Sequence, residues 1–265
     1  MADIAIVGAG VMGETLLSGL LRAGRQPDDI VIAERRDDRA IELTDRYGVS
    51  VMTNGEAAAA ADTVILVVKP QDMAAVLAEI TDRIRSHALV ISLAAGITTR
   101  YLEERLPAGT AVVRVMPNTP ALVDEGMAAI SAGSSCDEQH LDEAESLLKS
   151  VGRVIRVPEK QQDAVTAISG SGPAYIFFVV ESMIEAGVHL GLPRTTATQL
   201  AVQTAFGSAK LLRETGQHPT VLREQVTSPG GTTAAALREL ESHSVRAAFL
   251  SALQAARDRS EQLGS

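Results

Sequence analysis

The sequence predicts an α/β fold in two parts: a doubly wound parallel sheet over residues 1–160 and an all-α domain over residues 161–265. Three observations predict it. Short β-branched runs alternate with helical stretches through the first half. That alternation stops after about Pro158. From Asp163 onward, long Ala-, Leu- and Gln-rich segments follow, broken at Gly191-Leu192-Pro193, Gly216-Gln217-His218-Pro219 and Ser228-Pro229-Gly230-Gly231.

The elements follow in order. Residues 4–7 read as a strand, and residues 11–23 as a helix with Leu16, Leu17, Leu20 and Leu21 on one face. Further strands are read at 30–33, 64–68, 89–92 and 111–115, with helical stretches between them such as 71–86. The alanine run 57–61 reads as helix. Pro193 and Pro219 stand where helices start.

Composition excludes several classes of function. The net charge is -9 and there is no basic tract, so a nucleic-acid partner is not expected. Cys136 is the one cysteine, with no disulfide partner and no metal-ligand spacing around it. The five histidines are scattered. No signal-peptide pattern opens the chain, and the apolar stretch 176–180 is closed by Glu181 and Glu185. A cytoplasmic protein with no membrane partner is expected.

Gly8-Ala9-Gly10-Val11-Met12-Gly13 follows the first strand and opens the first helix. In that context Gly-x-Gly-x-x-Gly is a dinucleotide fingerprint, which makes the sheet Rossmann-type. The pyrophosphate would meet the helix N-terminus. A glycine turn without a ligand is the alternative. After the second strand, Glu34 favours NADH, while Arg35 and Arg36 favour the 2′-phosphate of NADPH or stand as a solvated pair. Three later strand ends belong at the same sheet edge: Val68-Lys69-Pro70, Ala94-Ala95-Gly96 and the segment around Asn118.

Two small-residue turns open helices in the second half, at 169–175 and 226–233. Each offers N–H and hydroxyl donors to an anion, or is simply an N-cap. No His–Asp or Lys–Asp pair has catalytic spacing.

Taken together, these motifs resemble the pyrroline-5-carboxylate reductase family. They run in the family's order over nearly the whole chain, and Ala236, Leu237, Leu240 and Glu241 follow the last one as in its signature. The resemblance implies hydride transfer from NADPH or NADH to the imine of 1-pyrroline-5-carboxylate, giving L-proline. It implies a small-molecule substrate held by Ser228, Gly230, Gly231, Thr232 and Thr233. Thr233 would be nearest the ring nitrogen, with helix capping as its other role. It puts the cofactor on Gly8, Gly10, Val11, Met12, Gly13, Arg35, Arg36, Asn54, Val68, Lys69, Pro70, Ala94, Ala95, Gly96 and Asn118, with Asn54 toward the adenosine end. It implies a homodimer or a higher oligomer of dimers. Two departures stand out. The nearest acidic residue to Gly216 is Glu214, and Glu34-Arg35-Arg36 replaces a Ser/Pro-containing loop. A related imine reductase, a β-hydroxyacid dehydrogenase and a non-catalytic dinucleotide-binding regulator remain alternatives; the dehydrogenase would want a catalytic lysine on the helical domain, and Lys210, the one lysine after Asp163, reads as a surface position.

Overall fold

A computed structural model describes residues 2–263. They form two compact units: residues 2–171 together with 256–263, and Gly172–Ala255.

The first unit holds an eight-stranded sheet: β1 (Ile4–Val7), β2 (Ile30–Ala33), β3 (Ser50–Met52), β4 (Thr63–Leu66), β5 (Leu89–Ser92), β6 (Ala111–Met116), β7 (Gly126–Ala132) and β8 (Gly152–Arg156). Their spatial order is β3-β2-β1-β4-β5-β6-β7-β8. From β1 the chain builds outward in one direction to β3, then returns and builds outward from β4. The carboxyl ends of β1 and β4 therefore flank a topological switch point, where such sheets take ligands, with the end of β2 beside them.

Burial of both faces explains the apolar strands. Ile4 and Ile6 of β1 join a core with Leu16, Leu17 and Leu20 of α1 (Val11–Arg22). Ala5 and Val7 face the opposite core, with Ala57 and Ala58 of α3 (Asn54–Ala60) and Met73 and Leu77 of α4 (Met73–Ile80). The remaining helices of this unit are α2 (Asp37–Tyr47), α5 (Thr99–Glu103), α6 (Glu138–Leu148) and α7 (Gln162–Val165).

Three strands escape a reading of the sequence. β3 has three residues, β7 is alanine-rich, and β8 is a short edge strand carrying Arg153 and Arg156. β7 also runs antiparallel to β6, so the sheet is mixed rather than wholly parallel. The helix read at 71–86 is shorter, because a single 3₁₀ turn (Pro70–Asp72) precedes α4.

The second unit is helical: α8 (Gly172–His189), α9 (Arg194–Thr215), α10 (Pro219–Gln225), α11 (Thr232–Ser242) and most of α12 (Val245–Leu263). Pro193 caps α9 and Pro219 opens α10. α8 and α9 pack closely where Gly187 meets Ala197; a Cβ on Gly187 would lie 3.0 Å from that of Ala197. Only Ala197 and Ala201 are buried in this unit, while Ile176, Phe177, Phe178, Phe206 and Leu250 are exposed. By length and composition the helical run Glu159–His189 is long and apolar enough to cross a membrane, against the expectation from residues 176–180. The end of α12 belongs to the first unit, where the buried Ser260 donates to Asp163 at 2.6 Å.

Gly152 marks the β7–β8 pair. Its φ of 154° and ψ of −149° lie in a region nearly restricted to glycine, and a Cβ there would sit 2.2 Å from the Gly126 carbonyl oxygen. Gly152→Ala is expected to destabilise the protein by about 1–3 kcal/mol or more, read as an earlier midpoint in denaturant unfolding.

Candidate cofactor and substrate sites

The three glycines of the first turn do different work. Gly8 ends β1 with φ +97°, and a Cβ there would lie 2.5 Å from the Val67 carbonyl oxygen. A Cβ on Gly13 would lie 2.1 Å from the Gly8 carbonyl oxygen. Both are required by packing. Gly10 is not: it is the N-cap of α1, no side chain caps the helix, and a Cβ there would meet nothing within 4 Å. The first-turn N–H groups of a helix have no partner inside it. Gly10 therefore leaves an open cradle before free donors and the positive end of a helix dipole, which fits a pyrophosphate.

A charged knot braces this turn. Arg39, largely buried, donates from Nε to the Ala9 carbonyl at 3.3 Å and from Nη1 to Glu42 at 2.6 Å, and pairs with Glu14. Glu14 also accepts from Arg46 at 2.9 Å and from the Tyr47 hydroxyl at 2.8 Å. Burial pushes the Glu14 carboxyl up, but the hydrogen bonds from Arg39 and Tyr47 and the charges of Arg39 and Arg46 outweigh it and hold it below the usual range. Burial and then the bond to Glu14 push the Tyr47 phenol up. None of these residues carries a motif, so the sequence does not single them out.

At the end of β2 the Glu34 carboxylate turns inward. Its Oε1 accepts the backbone N–H of Arg35 at 2.9 Å and of Arg36 at 3.0 Å. That carboxylate serves its own loop, whereas both arginine side chains are more than half exposed. Arg35 donates to Glu79 of α4 at 2.9 Å, and Asn54 donates to the other Glu79 oxygen at 2.7 Å. Thr53 caps α3 and puts Asn54 in its first turn. Gly8, Ala33, Glu34, Arg35, Asn54 and Val68 line one cavity.

The other strand ends divide. Lys69 is exposed and caps the turn Pro70–Asp72, while Ala94 and Gly96 are buried and Gly96 has φ +77°. Asn118 is used internally: its amide donates to Ser169 at 3.2 Å and its Oδ1 accepts from the Met127 N–H at 2.8 Å.

In the helical unit, Ser228-Pro229-Gly230-Gly231 turns through a Gly231 N–H to Ser228 carbonyl bond of 3.0 Å, with Gly230 at φ +70°. Gly231 is the N-cap of α11 and no side chain caps that helix. Thr233 therefore does not act as the cap. Lys210 lies mid-helix in α9, 3.6 Å from Glu214.

A family model described as "Pyrroline-5-carboxylate reductase dimerisation" matches residues 159–263, and one described as "NADP oxidoreductase coenzyme F420-dependent" matches residues 3–96. Pyrroline-5-carboxylate reductase from Corynebacterium melassecola is 50% identical over 268 residues, covering 100% of this chain and 99% of that protein. The chain belongs to the pyrroline-5-carboxylate reductase family. The enzyme from Mycobacterium tuberculosis strain H37Rv is 48% identical, covering 99% of this chain and 97% of the relative. Among solved structures, the Coxiella burnetii pyrroline-5-carboxylate reductase superposes with a TM-score of 0.95 at 39% identity, covering 100% and 99% of the two chains. The Plasmodium falciparum reductase with NADP bound gives 0.89 at 31% identity, covering 100% and 98%.

Within this family member the glycines separate folding from binding. Gly10→Ala is expected to change unfolding free energy by less than about 1 kcal/mol. It should nonetheless weaken dinucleotide binding by about tenfold or more, since a methyl group would fill the cradle. Titration calorimetry beside a thermal melt checks both; tight binding by the variant would refute the cradle.

Proposed function

We propose that this chain reduces the imine of 1-pyrroline-5-carboxylate to L-proline with NADPH or NADH. The observation that carries this reading is full-length similarity to reductases of that name at up to 50% identity. The Gly10 cradle supports it independently, because packing leaves that glycine unexplained.

With its pyrophosphate held in that cradle, a reduced nicotinamide dinucleotide would supply the hydride for the imine carbon. The chain's own residues bind and orient. The turn Gly8–Gly13 takes the pyrophosphate, and Arg35 and Arg36 take a 2′-phosphate through guanidinium groups matched to its oxygens. Asn54 and Val68 flank the adenosine ribose. Lys69, Pro70, Ala94, Ala95, Gly96 and Asn118 complete the wall, Asn118 by holding its loop rather than by direct contact. The uncapped start of α11, with Ser228, Gly230, Gly231 and Thr232, takes the substrate carboxylate. Thr233, free of a capping duty, is the hydrogen-bond partner of the ring nitrogen: its hydroxyl oxygen accepts from an iminium N–H, or its O–H donates to an unprotonated imine. A cyclic imine protonated on nitrogen is already a good hydride acceptor. Orientation and one positioned hydrogen-bonding group therefore meet the need, and no strong general acid is required.

The protein acts in the cytoplasm as a homodimer or an oligomer of dimers. The exposed apolar side chains of α8, α9 and α12 are covered by a second copy; the match to a dimerisation model supports this.

Purified protein mixed with pyrroline-5-carboxylate should consume NADPH or NADH, seen as loss of the reduced cofactor's absorbance. No oxidation of either would overturn the reading. Thr233→Ala is expected to lower kcat by about tenfold to a thousandfold, the scale of one positioned donor. Arg35→Ala and Arg36→Ala should raise KM for NADPH more than for NADH. Equal effects on the two cofactors would remove the 2′-phosphate assignment.

A further inference from the structure

Glu79 belongs to no motif, yet it joins two parts of the cofactor region. One carboxylate oxygen pairs with Arg35 at 2.9 Å and the other accepts from Asn54 at 2.7 Å. The fold brings it there through a close approach of α3 and α4: a Cβ on Gly55 would lie 2.9 Å from the Glu79 carbonyl oxygen. Asn54 is buried, whereas Arg35 and Glu79 are about half exposed. The carboxylate is thus tied firmly to α3 and loosely to Arg35.

We propose that Glu79 sets the discrimination between NADPH and NADH by competing with a 2′-phosphate for Arg35. This rests on the cofactor reading above and names a further residue that tunes it. Arg35 follows β2 directly, where the ribose 2′-substituent is read in this class of sheet. Glu34 is not the partner of the Arg35 guanidinium: its Oε1 accepts the Arg35 and Arg36 backbone N–H groups and lies 3.8 Å from Arg36 Nε. To meet a phosphate, the Arg35 guanidinium must leave Glu79. With a 2′-hydroxyl there is no phosphate to draw it away, and the pair stays closed. Glu79 therefore lowers affinity for NADPH and leaves that for NADH nearly unchanged. It is a positioning residue that acts through Arg35.

Glu79→Gln keeps an acceptor for the Asn54 amide while removing the charge that holds Arg35. Binding of NADPH and NADH to parent and variant is measured by cofactor fluorescence, with no substrate present. The Kd for NADPH is expected to fall about three- to fivefold, the scale of releasing one half-exposed ion pair, while the Kd for NADH stays within about 1.5-fold. In an Arg35→Ala background the same substitution should have no effect on either. An unchanged or raised NADPH Kd overturns the proposal, as does an equal shift for both cofactors or a full effect without Arg35. A parent that binds neither cofactor overturns instead the reading on which it rests. A thermal melt of Glu79→Gln matching the parent excludes a fold defect.

Discussion

Helix α1 begins so close to the end of β1 that a Cβ on Gly13 would sit 2.1 Å from the carbonyl oxygen of Gly8. The other end is equally tight, because a Cβ on Gly19 would meet Val151 Cγ1 at 2.3 Å. α1 is thus held at two points, one against its own strand and one against the segment leading into β8. Leu16 and Leu17 between them, with Leu20 just beyond, complete one apolar layer of the sheet. The same constraint aims the helix N-terminus at the switch point between β1 and β4. Packing and ligand recognition therefore share one geometric cause, and only Gly10 is left over for the ligand alone.

Charge is distributed around this turn according to burial. Arg39 and Glu14 lie low in the structure and satisfy each other, with Arg46, Tyr47 and the Ala9 carbonyl filling the remaining bonds. Removing one member of such a set strands its partner, which costs far more than the pair is worth intact. Arg35 and Arg36 are the opposite case. They are mostly solvated, and exposed pairs contribute about 0–1 kcal/mol. Such groups exchange partners at little cost, as a surface that must receive and release a charged ligand requires.

Sequence legibility followed the strength of local signals. β1, β2, β5 and the core of β4 were readable because burial on both faces demands unbroken β-branched runs. β7 was not, since its Ala-rich residues pack as a strand only with β6 and β8 beside them. The glycine turn was readable because Gly8 and Gly13 answer steric demands of the fold and Gly10 leaves space for a ligand. Thr233 was legible as a hydrogen-bonding group at a helix start, but the capping role the sequence also allowed it is not taken, because Gly231 is the N-cap and the hydroxyl is left free. Glu79 and Arg39 were invisible. They act across elements 25 to 44 residues distant in the chain, and neither belongs to a local pattern.

Helix α8 poses a different physical problem. Ile176, Phe177, Phe178 and Val179 are consecutive, so their side chains point around the whole helix rather than to one stripe. α9 covers the side that carries Gly187, and no single neighbour can cover the rest. A helix apolar all round is stable either in lipid or surrounded by protein. Glu181 and Glu185 sit within the same stretch, and carboxylates are costly in hydrocarbon. Surrounding protein satisfies both demands, since it can bury the phenylalanines and leave water beside the carboxylates. A second copy wrapped around α8, the assembly proposed above, does this without any new chemistry.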